Sequence, residues 1–358
     1  MRILHMIPDI GIANGIMSAV LNFAKAMPDD IKFDIIYFQE TEKTRAKEIE
    51  TLGGKVYKLK KPSPNDLIGN FEIKRFFAQH KNEWKVLHIH APHFAVFIAP
   101  EAKKSGIKKI CCHCHSTEFS LNGNSKRNKI LSLYSKYFIK DKFACSKIAG
   151  DFWYGNKPFT IINNAIDCSK FRYNEQIRID KRKELNLDDS LVICHIGKTS
   201  IPQKNHKFLV YVFAEIQNLN SKAKLFLIGA EKTEEYSLLC KELNISDSVF
   251  FMQTRSDVSE LLNCADVFVF PSTKEGLPVS IIEAQAAGLP VLMSDSVSSE
   301  AIVTNLVRTK SLNASYIEWA KDCISLSEFE RKDTFDSMID AGWDIHNSFD
   351  SLIRYYRG

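Results

Sequence analysis

Short apolar runs alternate with amphipathic helical patterns along the whole of this 358-residue chain, and the scheme occurs twice. In the first half, the pattern predicts a helix from Ile16 and buried strands at residues 2–7, 33–38, 85–90 and 107–115. In the second half it predicts strands at 191–196, 224–228, 249–252, 266–270 and 291–294. Strands separated by helices pair in parallel, and helices then cover the sheet. The sequence therefore predicts an α/β fold with two Rossmann-like, doubly wound domains.

The length of the chain supports this division, because it is long for a single hydrophobic core. The boundary is predicted at residues 161–167, where a strand gives way to the turn-forming Asn163 and Asn164. Two such domains facing each other would leave an interdomain cleft at the carboxyl ends of their strands, where doubly wound sheets bind ligands.

The composition excludes several classes of protein. Apolar residues make up 45% and charged residues 25%, as in globular rather than disordered chains. The longest apolar stretches, at 94–99 and 209–214, are too short to span a bilayer, and residues 1–10 lack the pattern of a secretory signal. Nine cysteines without regular spacing favour reduced thiols in a cytoplasm.

The charge is unevenly distributed along the chain. Residues 1–167 hold 26 Lys and Arg against 16 Asp and Glu, a formal charge of +10, whereas the remainder holds 22 against 27, a charge of −5. This asymmetry predicts that the first half meets an anionic partner, and nucleic acid or an anionic membrane surface would both fit.

The segment 270–291 carries the most specific pattern in the chain. A predicted strand leads into a short loop with Glu275, and Pro278 suits the first turn of a helix that contains Glu283. The free N–H groups at such a helix start attract anions. The predicted phosphate site consists of Gly276, Leu277, Pro278 and Val279. Because carboxylates repel phosphate, we expect the two glutamates to accept hydrogen bonds from vicinal hydroxyls.

The sequence Cys-Cys-His-Cys-His at 111–115 suggests a metal site, because Cys111 and Cys114 have the spacing of zinc ligands. A strand, however, points residues 111, 113 and 115 to one face and residues 112 and 114 to the other. The alternation splits the ligand set, so no metal site is predicted. His115, at the end of the strand, is instead a candidate ligand-binding residue.

Glu275 and Glu283 match the E-x7-E signature within the pattern PS-x-x-EG-x-P-x-x-x-x-EA-x-A-x-G-x-PV. On these residues the chain resembles the family 4 retaining glycosyltransferases of GT-B fold, closest to those of bacterial capsule and exopolysaccharide synthesis. The likeness extends through 143–150, 161–171 and 182–187. It implies an acceptor-side domain at 1–166, a donor-binding domain at 167–340, and a helix at about 341–358 that packs back on the first domain.

The resemblance also assigns roles to single residues. It implies that Glu283 holds the ribose hydroxyls of the nucleotide. Glu275 and His115 would be the catalytic residues, both holding hydroxyls of the donor sugar. Gly15 would approach the pyrophosphate or sugar from the first domain, in a turn where the family commonly has two glycines. Residues 253–255 fall where the family's backbone meets the base.

Two lysines complete the predicted donor site. The family usually has Arg directly after the glycine of the loop that follows strand 191–196, and this chain has Lys198 there, followed by Lys204. Two cations at one pyrophosphate would neutralise the charge that grows on the leaving nucleotide diphosphate, so no metal or other cofactor is expected. Lysine provides a point charge instead of the bidentate fork of arginine, which weakens the expectation for Lys198.

The resemblance therefore implies a cytoplasmic, metal-independent, retaining glycosyltransferase. It would move a hexose or N-acetylhexosamine from a nucleotide diphosphate sugar, with UDP expected, to a lipid-linked glycan in capsule, exopolysaccharide or surface polysaccharide synthesis. A UDP-sugar epimerase of the same architecture and a non-catalytic glycan-binding protein stay open as alternatives. Nothing resembles a nucleic-acid module, and no G-x-G-x-x-G follows a strand, which disfavours NAD chemistry.

The basic first half suggests where the acceptor is met. Cations surround an amphipathic stretch that contains Leu131, Leu133, Tyr134, Tyr137 and Phe138. They are Lys126, Arg127, Lys129, Lys136, Lys140 and Lys142. A second group of cations, Lys103, Lys104, Lys108 and Lys109, clusters near one helix end. We expect this face to bind the anionic inner surface of the plasma membrane and to present a polyprenyl-diphosphate-linked acceptor, with a merely solvated face as the alternative.

Overall fold

The computed structural model describes residues 1–12, 14–39, 41–117, 119, 125–275 and 277–358. They divide into two compact units: Met1–Ala165 with Ile345–Gly358, and Ile166–Asp344. Each unit contains a parallel sheet packed against helices. The prediction of an α/β fold with two Rossmann-like, doubly wound domains is confirmed.

The first unit has a seven-stranded sheet. Its strands are β1 (Arg2–Met6), β2 (Lys32–Tyr37), β3 (Val56–Lys58), β4 (Val86–Ile89), β5 (Lys109–Cys114), β6 (Asp141–Ala144) and β7 (Thr160–Ile161), in the order β3-β2-β1-β4-β5-β6-β7. The helices between them are α1 (Gly15–Ala26), α2 (Ala46–Thr51), α3 (Leu67–Gln79), α4 (Ala95–Lys104), α5 (Ser125–Ser135) and α6 (Lys147–Tyr154). The strand order reverses between β1 and β4, which is where sheets of this type bind ligands.

The second unit repeats the architecture with six strands. They are β8 (Val192–Ile196), β9 (Lys224–Ile228), β10 (Val249–Met252), β11 (Val267–Phe270), β12 (Val291–Ser294) and β13 (Val307–Lys310), in the order β10-β9-β8-β11-β12-β13. The helices are α7 (Cys168–Phe171), α8 (Glu175–Glu184), α9 (His206–Leu219), α10 (Glu234–Glu242), α11 (Val258–Cys264), α12 (Val279–Ala286), α13 (Tyr316–Ser327) and α14 (Phe335–Asp340). Here the strand order reverses between β8 and β11.

The C-terminal segment differs from the predicted helix at about 341–358. Helix α14 ends at Asp340, and Gly342 then adopts a φ of +74°, which a right-handed helix does not contain. The last helix, α15, spans only Asp350–Arg357. Its buried Leu352 and Tyr356 pack in the core of the first unit with Phe23 of α1.

Helix α12, which the motif 270–291 predicted, ends in a Schellman motif. The N–H of Gly288 donates to the carbonyl of Gln285, and the N–H of Leu289 donates to that of Ala284, each at 2.9 Å. Gly288 has a φ of +60°, and a Cβ at this position would overlap the carbonyl oxygen of Lys332. Glycine is therefore required both by conformation and by space.

Substituting Gly288 with alanine should destabilise the protein by about 2–4 kcal/mol, because a left-handed backbone and an overlap with main chain are combined. Gly53 is the control, since its φ is +84° but a Cβ there would make ordinary contacts of 3.4 Å with Lys32. Denaturant unfolding should show a markedly smaller loss for Gly53→Ala. Equal losses would contradict the overlap with Lys332 as the cause.

Candidate active site

Two loops meet at the reversal of strand order in the second unit. One follows β8 and contains residues 197–205, and the other follows β11 and contains residues 271–278. The N–H of Thr273 donates to the carbonyl of Gln203 at 2.9 Å, and the side chain of Asn205 donates to the carbonyl of Pro271 at 3.1 Å. These hydrogen bonds hold the loops together and fix the side chains between them.

Lys204 and Glu275 form an ion pair across these loops. Their Nζ and Oε1 atoms lie 3.0 Å apart, and the two side chains are 16% and 20% exposed. The same ammonium lies 4.5 Å from the centre of the Phe270 ring. Gly197 makes room for the lysine, because a Cβ there would lie 3.0 Å from Lys204 Cγ. Lys204, which is predicted to bind the pyrophosphate, and Glu275, which is predicted to bind the donor sugar, are thus in direct contact. The sequence did not indicate this contact.

The start of α12 supplies the predicted phosphate site. Pro278 precedes the helix with extended backbone, and its carbonyl accepts from the N–H of Ile281 at 3.1 Å. The first N–H groups of a helix in general lack intrahelical acceptors and are available to a ligand. Leu277 and Pro278 are buried, whereas Val279 is half-buried. Gly276, also predicted for this site, lies outside the described residues.

Glu283 lies one turn into α12 and is half-buried. Burial raises the pKa of its carboxyl from the ordinary 4.5 to about 7, although the positive charge of Lys170 opposes the shift. Among the described residues, no donor is hydrogen-bonded to this carboxyl group. A desolvated carboxylate without protein partners can accept hydrogen bonds from a ligand.

The raised pKa of Glu283 leads to a prediction for how the stability of the ligand-free protein depends on pH. The folded state holds the proton of Glu283 more tightly than the unfolded state, so the contribution of this group to stability is full below pH 4.5 and is lost as the pH rises to about 7. Glu283→Gln cannot ionise and should escape that loss. Thermal melting should therefore show equal Tm values at the acid end and a variant more stable by about 2–5 °C above pH 7. A Tm difference independent of pH would contradict the shift.

Lys198 and the segment 253–255 are also predicted to contact the donor. Lys198 is exposed, in contrast to Lys204. Arg255, in the segment predicted to meet the base, pairs with Asp257 through two contacts of 2.7 Å. The pair holds the Arg255 side chain, so the prediction for this segment rests on its backbone.

His115 ends a chain of hydrogen-bonded side chains in the first unit. Its Nδ1 lies 3.0 Å from Asn164 Oδ1, which can only accept, so Nδ1 donates. Its Nε2 therefore accepts from His90 Nδ1 at 2.9 Å, and His90 Nε2 accepts from His5 Nδ1 at 3.0 Å. Burial lowers the pKa of His115 to about 4, so the ring is neutral near pH 7. Both nitrogens are occupied within the protein, and a hydrogen bond to a donor sugar requires one of these contacts to open.

The strand alternation predicted for residues 111–115 is present. Cys111 packs on the side of α1, whereas Cys112 packs on the opposite side, with α3 and α4. Within the described residues, the sets of side chains that could hold a metal ion consist of histidine alone. They are His5, His88 and His90, and His90, His113 and His115. Cys111 and Cys114, which have the spacing of zinc ligands, belong to neither set.

Gly15 is the first residue of α1, and Asn14 caps the helix by accepting from the N–H of Met17 at 3.0 Å. A Cβ at Gly15 would have no neighbour within 4 Å. Packing among the described residues therefore does not require a glycine here.

Comparisons with known proteins relate the chain to a known family. Residues 176–329 match the family model of glycosyl transferases group 1. The putative glycosyltransferase EpsF of Bacillus subtilis is 25% identical over 99% of this chain and 96% of its own length. The UDP-Gal:alpha-D-GlcNAc-diphosphoundecaprenol alpha-1,3-galactosyltransferase of Escherichia coli is 24% identical over 63% of this chain and 61% of its own.

A solved structure shows the same fold. The crystal structure of HepE from Anabaena in complex with UDP and glucose superposes with a TM-score of 0.81, at 15% identity, over 99% of both chains. Two Rossmann-like units, the motif at 270–291 and these matches lead to one conclusion. The chain contains a domain of the glycosyl transferases group 1 family, and it is a glycosyltransferase.

Proposed function

We propose that this glycosyltransferase moves a hexose or N-acetylhexosamine, with retention of configuration and without a metal cofactor, from a UDP-sugar to a lipid-linked glycan acceptor. The observation that carries the proposal is the Lys204–Glu275 ion pair at the reversal of strand order, on the loop that leads into α12. It joins a cation suited to phosphate with a carboxylate suited to sugar hydroxyls.

The chemistry of transfer explains why both charges are needed. When the bond between the anomeric carbon and the phosphate oxygen breaks, its electron pair stays with the departing nucleotide diphosphate. Lys204 and the N–H groups at the start of α12 would stabilise that negative charge. Glu275 would accept hydrogen bonds from sugar hydroxyls, and Glu283 from the ribose. The acceptor hydroxyl forms the new bond and releases its proton.

The choice of donor and acceptor is supported by the relatives. The Escherichia coli relative has UDP-Gal and a diphosphoundecaprenol-linked sugar in its name, and HepE was solved with UDP. A lipid-linked acceptor would be met at a membrane. No helix among the described residues is long and apolar enough to cross one.

The exposed face of α5 supports peripheral binding to the inner, anionic surface of the plasma membrane. Residues 125–140 contain five Lys and Arg and no acidic residue. Apolar side chains lie among these cations with large exposed fractions: Ile130 55%, Leu133 58%, Tyr134 58% and Tyr137 69%. Membrane-surface segments combine exposed apolar side chains with neighbouring Lys and Arg, and α5 with the residues just after it has this combination.

The test of the donor is thermal stabilisation by a panel of nucleotide sugars, followed by a transfer assay with undecaprenyl-diphosphate-linked acceptors and a chelator. We expect one UDP-sugar to stabilise the protein and to be consumed only when acceptor is present. Consumption without acceptor would support the epimerase. Stabilisation by free glycans alone would support a binding protein.

A further inference from the structure

The first two turns of α3 expose large apolar side chains to solvent. Leu67 is 83% exposed, Ile68 66% and Phe71 63%, whereas Ile73 and Phe77 on the same helix are buried in the core. Ile73 and Phe77 thus pack α3 against the core, and the exposed side chains take no part in that packing. A cluster of this kind indicates an interaction surface.

This end of α3 is held firmly. Asp66 caps the helix by accepting from the N–H groups of Ile68 and Gly69 at 3.0 and 3.1 Å. A Cβ at Gly69 would lie 2.7 Å from the carbonyl oxygen of Lys61, so the helix start packs closely against the preceding segment. The apolar side chains are therefore presented by a fixed helix end rather than by a loose loop.

The helix end lies near the carboxyl edge of the sheet. Lys61, just before α3, has its Nζ 5.8 Å from the ring centre of Phe94, which follows β4. Ligands bind at that edge in doubly wound sheets, and His115 follows β5 at the same edge. A membrane contact here would bring a lipid-linked acceptor to the binding edge of the unit.

The charges beside the cluster are positive. Lys61, Lys74 and Arg75 are exposed, and in the described part of the chain none of them forms an ion pair. The acidic neighbours each have a partner: Asp66 pairs with Lys60 at 3.3 Å, and Glu72 accepts from the backbone N–H of Lys60 at 3.0 Å. Glu101, which lines a cavity with Phe71 and Lys74, pairs with Lys104 at 2.6 Å. The partner should therefore be both apolar and anionic.

An anionic bilayer fits these features better than a protein does. A stable protein interface needs about 20–30 residues on each side, far more than one helix end provides. A bilayer accepts a small apolar tip and offers phosphate groups to the cations around it.

We propose that the start of α3 inserts Leu67, Ile68 and Phe71 into the interface of an anionic bilayer, while Lys61, Lys74 and Arg75 contact lipid phosphates. The proposal rests on the proposed function, which places the acceptor in a membrane. It adds an apolar contact, insensitive to salt, to the electrostatic contact proposed for α5.

The test is sedimentation of the full chain with vesicles of phosphatidylethanolamine and phosphatidylglycerol, at low salt and at about 0.5 M salt, where charge attraction is screened. The variant Leu67→Ser/Ile68→Ser/Phe71→Ser should bind about 100-fold more weakly at high salt, since transfer of each large apolar side chain is strongly favourable. The control is Ile179→Ser/Leu219→Ser/Leu238→Ser, whose parent residues are 51%, 50% and 54% exposed in the second unit. Equal binding by the α3 variant and the parent would overturn the proposal.

A second measurement does not depend on a loss of binding. The tryptophan fluorescence of Phe71→Trp should be quenched by bromine-labelled lipids beyond the level of the parent, in which Trp84, Trp319 and Trp343 are buried and Trp153 is half-buried. Absence of extra quenching would also overturn the proposal. Calorimetry with the UDP-sugar separates the two ideas, because the α3 variant should bind donor like the parent. Failure of the parent to bind any nucleotide sugar would reject the proposed function but leave the vesicle result to decide the α3 contact.

Discussion

Lys204→Ala is expected to lower kcat about 100- to 1,000-fold, the usual cost of removing one group that stabilises transition-state charge. The ammonium is only 16% exposed and is fixed by Glu275 and the Phe270 ring, so it is already oriented before the donor binds. Its loss also leaves the Glu275 carboxylate without its cation. Steady-state kinetics with the UDP-sugar should show the effect mainly in kcat rather than in KM.

Two variants control this experiment. Lys207→Ala removes an exposed cation three positions further along, on α9, and should change kcat less than about threefold. Lys198→Ala removes the exposed cation of the same loop and measures its contribution directly. A kcat for Lys204→Ala within a few-fold of that for Lys207→Ala would contradict the role given to Lys204 at the leaving group.

The pair of Lys204 and Glu275 shows what the sequence could and could not predict. Each residue was identified separately, because one follows a predicted strand in a basic loop and the other begins a specific motif. Their contact depends on β8 and β11 being neighbours in the sheet, although 70 residues separate Ile196 from Val267 in the chain. The strand order that brings them together is a property of the fold, and local periodicity carries no information about it.

The histidine chain was missed for the same reason. His5 lies on β1, whereas His90 and His115 directly follow β4 and β5, so their proximity depends on the order and register of three strands and not on spacing within any one strand. A signal was present in the sequence, since histidines occur at the carboxyl ends of consecutive predicted strands. The strands themselves were predicted well where both faces are buried, as in β8, β9, β11 and β12. Those that escaped prediction, such as β3 and β7, are short and partly exposed, so their apolar pattern is weak.

The outer face of α3 could not have been found from pattern alone. Leu67, Ile68 and Phe71 look like ordinary core positions in a sequence, because apolar residues in a helix are usually buried. Only the structure shows that Ile73 and Phe77 are the buried residues of α3, whereas Leu67, Ile68 and Phe71 are exposed to solvent.

Glu283→Gln is expected to weaken binding of the UDP-sugar about 10- to 100-fold, since a hydrogen bond to a charged group contributes about 1.5–3 kcal/mol. The raised pKa of Glu283 also predicts that donor affinity depends on pH. Because the ribose hydroxyls need the ionised carboxylate as acceptor, donor affinity of the parent should fall as the pH drops below about 7. The glutamine variant should lack this dependence. Calorimetry at several pH values measures both effects.

A donor analogue identifies the atoms involved. A UDP-sugar whose ribose lacks the 2′-hydroxyl should bind the parent more weakly than the intact donor does, and the same deletion should cost far less with Glu283→Gln. Such non-additivity is what a direct contact produces, whereas independent effects would add. An equal penalty in both proteins would show that Glu283 does not hold the ribose, and the carboxylate would then act on α12 by its charge alone.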